Sequence, residues 1–215
     1  MSNDQQVTFF AGINGSGKTT TYMRARTLVP TLRSIYYVNP DEILRKRGGS
    51  FLQAAKLALI ARNTCIEKRI SFVFESTFSG NSEIRTLVEA KNSGFKINGV
   101  IVGTENLNLN LQRITERSLS GGHFVPTEDV LRRNLRVGRN YSSILSLSDR
   151  LYLVDNSGTC PKIQAIIKEQ KIKFLAKNTA KWVLNFLEKI PRETTLERKF
   201  MKKFLLYSQP ACQGL

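Results

Sequence analysis

Eight residues near the start of the chain have the types and spacing of a phosphate-binding loop. The segment Gly12–Thr19 fits the pattern G-x-x-x-x-G-K-[ST] and follows an apolar run that ends at Ala11. Its glycines let successive backbone N–H groups turn towards an anion, Lys18 can reach terminal phosphates, and the Thr19 hydroxyl can bind Mg²⁺. The pattern predicts a nucleotide and Mg²⁺ site formed by Gly12, Asn14, Gly15, Ser16, Gly17, Lys18, Thr19 and Thr20.

A carboxylate that can act as a base follows the second apolar run. Asp41 comes directly after Pro40, on the first turn of an expected helix. A phosphoryl transferase needs a group that takes the proton of the acceptor hydroxyl, and a carboxylate beside the phosphate loop can do this. Aspartate after proline is also common as a helix cap, so the residues alone leave both roles of Asp41 open.

A second carboxylate, Glu75, directly follows the apolar run Phe72–Phe74. A glutamate without a preceding aspartate fits a hydrolase less well than it fits contact with the acceptor or with metal-bound water. Ser76 and Thr77 come next and can hydrogen-bond an acceptor hydroxyl or phosphate. We expect Glu75 and Thr77 at the acceptor site, and the alternative for Glu75 is a solvated loop acid.

Between Ile97 and Pro161 every cationic residue is an arginine. The planar guanidinium binds phosphate through two parallel hydrogen bonds, whereas lysine acts as a hydrated point charge. Two expected helices share this region. They carry Arg113 and Arg117 on the first, and Arg132, Arg133, Arg136 and Arg139 on the second.

Gly121–Gly122, between these two helices, is a candidate hinge. We therefore expect a lid over about residues 105–140 that closes on the substrate and excludes water, with Arg113 and Arg132 in contact with the substrate. The alternative is a solvated, ion-paired helix pair. His123 is expected to be structural.

The elements that position these residues alternate along the chain. Short strand-like runs at 7–11, 34–38, 70–74, 97–102 and 150–154 are separated by segments with apolar residues at helical spacing. This order predicts an α/β fold with a parallel sheet of about five strands flanked by helices. Ligands bind such sheets at the carboxyl ends of the strands, where the loop, Asp41 and Glu75 all fall.

The composition is typical of one globular domain. The chain has 215 residues, of which 41% are hydrophobic, and no apolar run approaches the length of a signal segment or a membrane span. We therefore expect a cytoplasmic protein. The three cysteines are widely spaced and have only one histidine as a possible partner, so ordinary thiols are expected rather than disulfides or zinc.

The net charge is +16, and half of it lies in residues 162–203, where twelve Lys and Arg stand against four acidic residues. We expect a core over residues 1–160, including the lid, and a basic helical extension over 161–215 that packs on the same domain. The extension would dock through Val183, Phe186, Leu187, Ile190, Leu196, Phe200 and Phe204. A basic amphipathic segment can also contact nucleic acid, an anionic membrane or an acidic protein.

From Val7 to about Ser157 the chain resembles the short zeta-toxin-like P-loop kinases. The matching segments, in chain order, are 11–19, 38–43, 74–80, 113–117 followed by 121–126, and 153–157. Five matches in one order are far more specific than the phosphate loop alone.

The resemblance implies a P-loop kinase fold and a role for each matching residue. Lys18 would clamp the phosphates, Thr19 would bind Mg²⁺, Asp41 would activate the acceptor hydroxyl, and Glu75 and Thr77 would contact the acceptor. Arg117 and Arg133 would be the lid arginines, with Arg132 as the alternative to Arg133. Similar zeta toxins phosphorylate the sugar of UDP-N-acetylglucosamine and are restrained by an antitoxin protein. The resemblance therefore implies UDP-N-acetylglucosamine as a candidate acceptor and an antitoxin protein as a candidate partner.

Three functions follow from these observations. The leading hypothesis is an ATP- or GTP-dependent, Mg²⁺-dependent kinase of a small-molecule hydroxyl, most simply a nucleotide sugar. The high positive charge allows a nucleic-acid end kinase instead, since neutralised phosphates give strong affinity. A third reading is a non-catalytic binding module whose lid responds to nucleotide.

Overall fold

The computed structural model describes residues 5–119 and 125–188. Within these ranges a single sheet has the strand order β2-β3-β1-β4-β5-β6-β7. Strands β1 to β5 run parallel, while β6 and β7 are antiparallel to their neighbours. The strands are β1 (Gln6–Ala11), β2 (Tyr36–Val38), β3 (Phe72–Ser76), β4 (Lys96–Gly103), β5 (Arg150–Asp155), β6 (Lys162–Lys168) and β7 (Lys171–Leu175).

The connections between the parallel strands contain most of the helices. The described helices are α1 (Lys18–Leu28), α2 (Pro40–Arg47), α3 (Phe51–Glu67), α4 (Ser82–Asn92), α5 (Leu107–Leu119), α6 (Thr127–Leu147) and α7 (Lys181–Leu187), with a 3₁₀ turn at Pro30–Arg33. Helix α3 begins with a capping box, in which Ser50 and Gln53 satisfy each other's backbone N–H groups. None of these helices combines the length and the apolar character needed to cross a membrane.

The main core lies on one face of the sheet. Alternate residues of β1 and β3, such as Phe9 and Phe74, point into it and pack with side chains of α3, α4, α6 and α7. On the opposite face Phe10, Val73 and Val102 pack with Tyr22 of α1. Burying both faces explains why β1 and β3 are continuous apolar runs rather than alternating ones.

Strand β1 lies where the chain changes direction across the sheet. From β1 the chain passes to β2 and β3 on one side and then to β4 and β5 on the other, which opens a crevice at the carboxyl end of β1. The register pairs Ala11 with Ser76, so the strand end that leads into the phosphate loop lies beside Glu75. The predicted α/β fold class is confirmed, and all five predicted strands are present within two residues of their expected bounds.

The start of the C-terminal extension differs from the expectation. Residues 162–175 were expected to be helical but form the antiparallel strands β6 and β7. Ala165 and Ile167, two residues apart, are buried, which is the period of a strand. Glu169 and Gln170 have φ values of 51° and 59°, the left-handed conformation of a two-residue hairpin turn.

Helix α7 does dock as expected. Val183, Phe186 and Leu187 are buried in the main core, and Phe186 contacts Tyr141 edge-on with ring centroids 4.6 Å apart. The expectations for Ile190, Leu196, Phe200 and Phe204, for the hinge Gly121–Gly122 and for His123 lie outside the described residues.

Candidate active site

The loop between β1 and α1 has the backbone of an anion cradle. Gly15 and Gly17 have φ values of 76° and 87°, a region that side chains disfavour, and Gly17 caps the first turn of α1. A loop of this kind at the start of a helix can bind an anion through its backbone N–H groups and the positive end of the helix dipole. These backbone conformations are compatible with the predicted phosphate-binding loop, whose binding role stays a prediction.

Two buried asparagines hold this loop from behind. Asn110 of α5 is fully buried and donates through Nδ2 to the Asn14 carbonyl at 3.1 Å. Asn156, just after β5, donates through Nδ2 to the Ser16 carbonyl at 2.9 Å. Arg113 Nη1 in turn donates to the Asn156 carbonyl at 2.9 Å. The loop is thus fixed by α5 and by the end of β5 as well as by its own backbone.

Lys18 lies at the start of α1 and donates through Nζ to the Ile13 carbonyl at 3.1 Å. Burial lowers the pKa of Lys18 to about 8, although the nearby Glu75 and Asp41 carboxylates favour its charged form. Arg117 and Arg133 add to the lowering because they are like charges. An anion bound between these cations would favour the charged lysine.

Glu75 lies at the end of β3 and accepts two hydroxyl hydrogen bonds. Thr19 Oγ1 donates to its Oε2 at 2.7 Å, and the Tyr37 hydroxyl donates to its Oε1. The side chain is buried, which raises the pKa of Glu75, while both hydrogen bonds and Lys18 oppose the rise. A buried carboxylate held by two hydroxyls is not the solvated loop acid of the alternative interpretation.

The residues of the loop fit a nucleotide and Mg²⁺. Ser16 Oγ is buried without a hydrogen-bond partner among the described residues, as expected of a hydroxyl that a bound anion would satisfy. Thr19 and Glu75 offer only oxygen atoms, the ligand type that Mg²⁺ prefers. Thr20 is exposed on α1, as Thr19 is, and its side chain makes no hydrogen bond in the site among the described residues.

Asp41 lies on the first turn of α2, directly after the strand end of β2. The cap of this helix is Asn39, whose Oδ1 accepts the Asp41 backbone N–H at 2.8 Å. The Asp41 carboxylate is therefore not needed as the cap, and it lines the same cavity as Lys18 and Glu75.

Helices α5 and α6, which were expected to form a lid, bring two arginines to the cavity. Arg117 and Arg133 line it, and Arg133 Nη1 donates to Asn14 Oδ1 of the phosphate loop at 2.9 Å. Arg132 points elsewhere, since its Nη2 lies 2.7 Å from Asp129 Oδ1 and its side chain is 57% exposed. Asp129 Oδ2 also lies 3.9 Å from Arg133 Nη2. The ion pairs expected under the alternative interpretation are therefore present, and Arg133 lines the cavity as well.

One cavity of about 580 Å³ is lined by seven of the predicted site residues, whereas the rest of the loop, Thr19 included, is not among its described lining. Its wall beyond Asp41 is a face of α3 that ends at buried Arg62, which lies over the Phe74 ring at 5.0 Å and 4.0 Å from Glu83. The predicted residues that line it are Asn14, Lys18, Asp41, Glu75, Thr77, Arg117 and Arg133. Arg113 and Arg132, both expected to contact substrate, are not among its described lining residues.

Sequence reasoning missed several residues that hold the site. Tyr37 and Asn110 carry no recognisable pattern, and their roles depend on partners far away in the chain. Asn39 and Asn156 do fall within the segments that match the zeta-toxin-like kinases, which was the available signal.

No protein-family model matches the chain. An uncharacterized protein of Haemophilus influenzae is 32% identical over 124 residues, which cover 58% of this chain and 88% of the relative.

Several solved structures share the fold. A chain of the AvrRxo1-ORF1:AvrRxo1-ORF2 complex with sulphate ions superposes with a TM-score of 0.65 at 16% identity, over 86% of this chain and 64% of that chain. The same complex was also solved with ATP. The PezAT toxin-antitoxin system of Streptococcus pneumoniae gives a TM-score of 0.58 at 13% identity, over 96% and 88% of the two chains. This chain therefore has a P-loop kinase fold, and it spans about two thirds of the AvrRxo1 chain.

Proposed function

We propose that this chain, which belongs to the same family as the uncharacterized Haemophilus influenzae protein, is a zeta-toxin-like kinase, because it has a P-loop kinase fold. It transfers the γ-phosphate of ATP or GTP to a hydroxyl of a small molecule. The observation that carries this proposal is the cavity in which Asp41 lies with Lys18, Arg117 and Arg133. A phosphate clamp, a base and two lid cations around one space are the parts that phosphoryl transfer requires.

The proposed reaction forms one bond, breaks one bond and transfers one proton. The acceptor oxygen attacks the γ-phosphorus while the bond from that phosphorus to the β-phosphate oxygen breaks. The proton of the acceptor hydroxyl passes to the Asp41 carboxylate. Lys18, Arg117 and Arg133 offset the negative charge that spreads over the transferring group.

Thr19, with Glu75 behind it, would hold Mg²⁺. When bound, Mg²⁺ neutralises charge on the β- and γ-phosphates. Arg117 of α5 and Arg133 of α6 line the cavity beside the loop, and Arg133 donates to Asn14. Closure of these helices over bound substrates would limit water, which would otherwise replace the acceptor and hydrolyse the nucleotide.

We propose a nucleotide sugar such as UDP-N-acetylglucosamine as the acceptor and an antitoxin protein as the partner. The resemblance to zeta toxins supports both, as does the fold shared with the PezAT toxin-antitoxin system. The cavity extends beyond Asp41 along a face of α3, which is where we place the acceptor in this proposal.

Untargeted mass spectrometry of a metabolite extract tests the function. Extract incubated with protein, Mg²⁺ and ATP or GTP should gain a metabolite heavier by one phosphoryl group. The Asp41→Asn variant should not produce it. An extract that gains no such product with either nucleotide would contradict the proposal.

Two further measurements distinguish a small-molecule kinase from the two alternative functions. Phosphorylated oligonucleotide ends would instead indicate a nucleic-acid end kinase. Nucleotide binding without transfer to any metabolite or oligonucleotide would indicate a non-catalytic module.

A further inference from the structure

A continuous chain of hydrogen bonds joins the phosphate loop to the start of α2. Thr19 donates to one oxygen of Glu75, and the Tyr37 hydroxyl donates to the other. Asn39 Nδ2 donates to the Tyr37 oxygen at 2.7 Å, and Asn39 Oδ1 accepts the Asp41 backbone N–H at 2.8 Å. The residue that would bind Mg²⁺ is thereby connected to the backbone of the candidate base.

Tyr37 is held in place independently of this chain. Its ring stacks on the Tyr22 ring with centroids 4.2 Å apart and planes 18° apart, and Tyr22 is itself buried against Phe10. A clamped ring leaves the hydroxyl little freedom, so its hydrogen bond fixes the direction of the Glu75 carboxylate. The neighbouring Tyr36 is 55% exposed and makes no such contact among the described residues.

Asn39 is suited to its position because it uses both ends of its side chain. It is buried, and its oxygen caps α2 while its amide nitrogen donates to Tyr37. Serine or aspartate would also cap a helix, but neither supplies the amide donor. The choice of asparagine thus matches the link to Tyr37 as well as the cap.

We infer that Tyr37 and Asn39 are positioning residues. They fix the orientation of the Glu75 carboxylate and the positions of Thr19 and Asp41 relative to each other. This inference rests on the proposed kinase function. Without the Tyr37 hydroxyl, Glu75 Oε1 lacks its donor at a buried position, so the carboxylate turns and no longer orients Thr19. Groups that orient a metal ligand typically change metal affinity by about 10- to 100-fold when they are removed.

Tyr37→Phe tests the inference, with Tyr36→Phe as the matched control. Phenylalanine keeps the stack on Tyr22 and removes only the hydroxyl. Titration calorimetry with a non-hydrolysable ATP analogue should show that Tyr37→Phe needs at least about tenfold more Mg²⁺ for half-maximal binding. With the acceptor that the wild-type protein phosphorylates, the kcat of Tyr37→Phe should fall, while its KM for nucleotide at saturating Mg²⁺ stays unchanged. Tyr36→Phe should match the wild type in all three quantities.

The Asn39→Ser variant distinguishes the hydrogen bond from Asn39 to Tyr37 from the role of Asn39 as a helix cap. Serine preserves the cap, so the thermal midpoint should stay near that of the wild type, while the Mg²⁺ requirement should rise as in Tyr37→Phe. Wild-type Mg²⁺ dependence in Tyr37→Phe, or an equal change in Tyr36→Phe, would overturn the inference and leave the kinase proposal intact. If the wild type transfers phosphate to nothing, the kinase proposal fails, and the calorimetric Mg²⁺ dependence still decides the role of Tyr37.

Discussion

At the scale of single residues, Asp41 carries the largest share of the proposed chemistry. It lines the cavity with Lys18, Arg117 and Arg133, and its helix is already capped by Asn39. A carboxylate that is not needed to cap its helix and lies beside the phosphate loop is free to take a proton.

Asp41→Asn should lower kcat by about 10²- to 10⁴-fold, because asparagine cannot accept the proton of the acceptor hydroxyl. The dissociation constant for nucleotide, measured by calorimetry, should stay near the wild-type value. Glu42→Gln is the matched control, since Glu42 forms a salt bridge with Lys46 at 2.7 Å outside the described cavity lining. Nucleotide binding that weakens as much as turnover would show that Asp41 is structural.

Lys18 makes nucleotide affinity depend on pH. Burial lowers its pKa to about 8 in the free protein, so raising the pH through this value removes the charge that phosphate binding needs. Well above pH 8 the affinity should fall by up to about tenfold per pH unit, since binding must then restore the proton. Dissociation constants measured between about pH 7 and 9.5 should show the fall, and Lys18→Arg should abolish it if that variant binds. A wild-type dissociation constant that does not change over this pH range would contradict the lowered pKa of Lys18.

At the scale of elements, helix α6 decides which of two adjacent arginines faces the cavity. The sequence could not choose between Arg132 and Arg133, because a one-residue shift rotates a side chain by about 100° around a helix. In the structure Arg133 reaches Asn14, whereas Arg132 pairs with Asp129 at the surface.

Arg133→Gln should therefore lower kcat by about 10²- to 10³-fold, as expected for the loss of a cation at the transferring phosphoryl group. Arg132→Gln should change kcat by less than about threefold, since exposed ion pairs contribute little. Steady-state kinetics of both variants on the identified acceptor would measure this difference. The reverse order of effects would assign the second lid arginine to Arg132.

Other elements show where sequence reasoning succeeds and fails. The loop, β1 and β3 were predictable because glycine spacing and apolar runs are local signals. Strands β6 and β7 were missed because their many lysines resemble a solvated helix, and their pairing with β5 is not local. Tyr37 and Asn110 could not be assigned, because their partners lie 38 and 96 positions away in the chain.

At the scale of the whole molecule, the described part of the extension, residues 161–188, completes the sheet and the core. Strand β6 pairs with β5, and Ala165 and Ile167 share the main core with Val183 and Phe186. The division into residues 1–160 and 161–215 remains a prediction from sequence, and these contacts favour one folding unit.

A chain cut after Pro161 should not fold cooperatively, because it leaves the edge of β5 unpaired and removes Val183, Phe186 and Leu187 from the core. A chain cut after Glu188 retains all these contacts and should melt in one transition. Circular dichroism melts of both chains measure this, and a cooperative melt of the shorter chain would show that residues 1–161 form an independent domain.

Trp182 is the single tryptophan of the chain, and its position gives the molecule an intrinsic optical probe. Its indole Nε1 donates to Asp155 Oδ1 at 2.8 Å, one residue before the asparagine that holds the phosphate loop. The ring also lies against Gly103, at the carboxyl end of β4. Changes in the loop that reach Asn156 will therefore alter the emission of Trp182, and nucleotide arrival can be followed in real time without an added label.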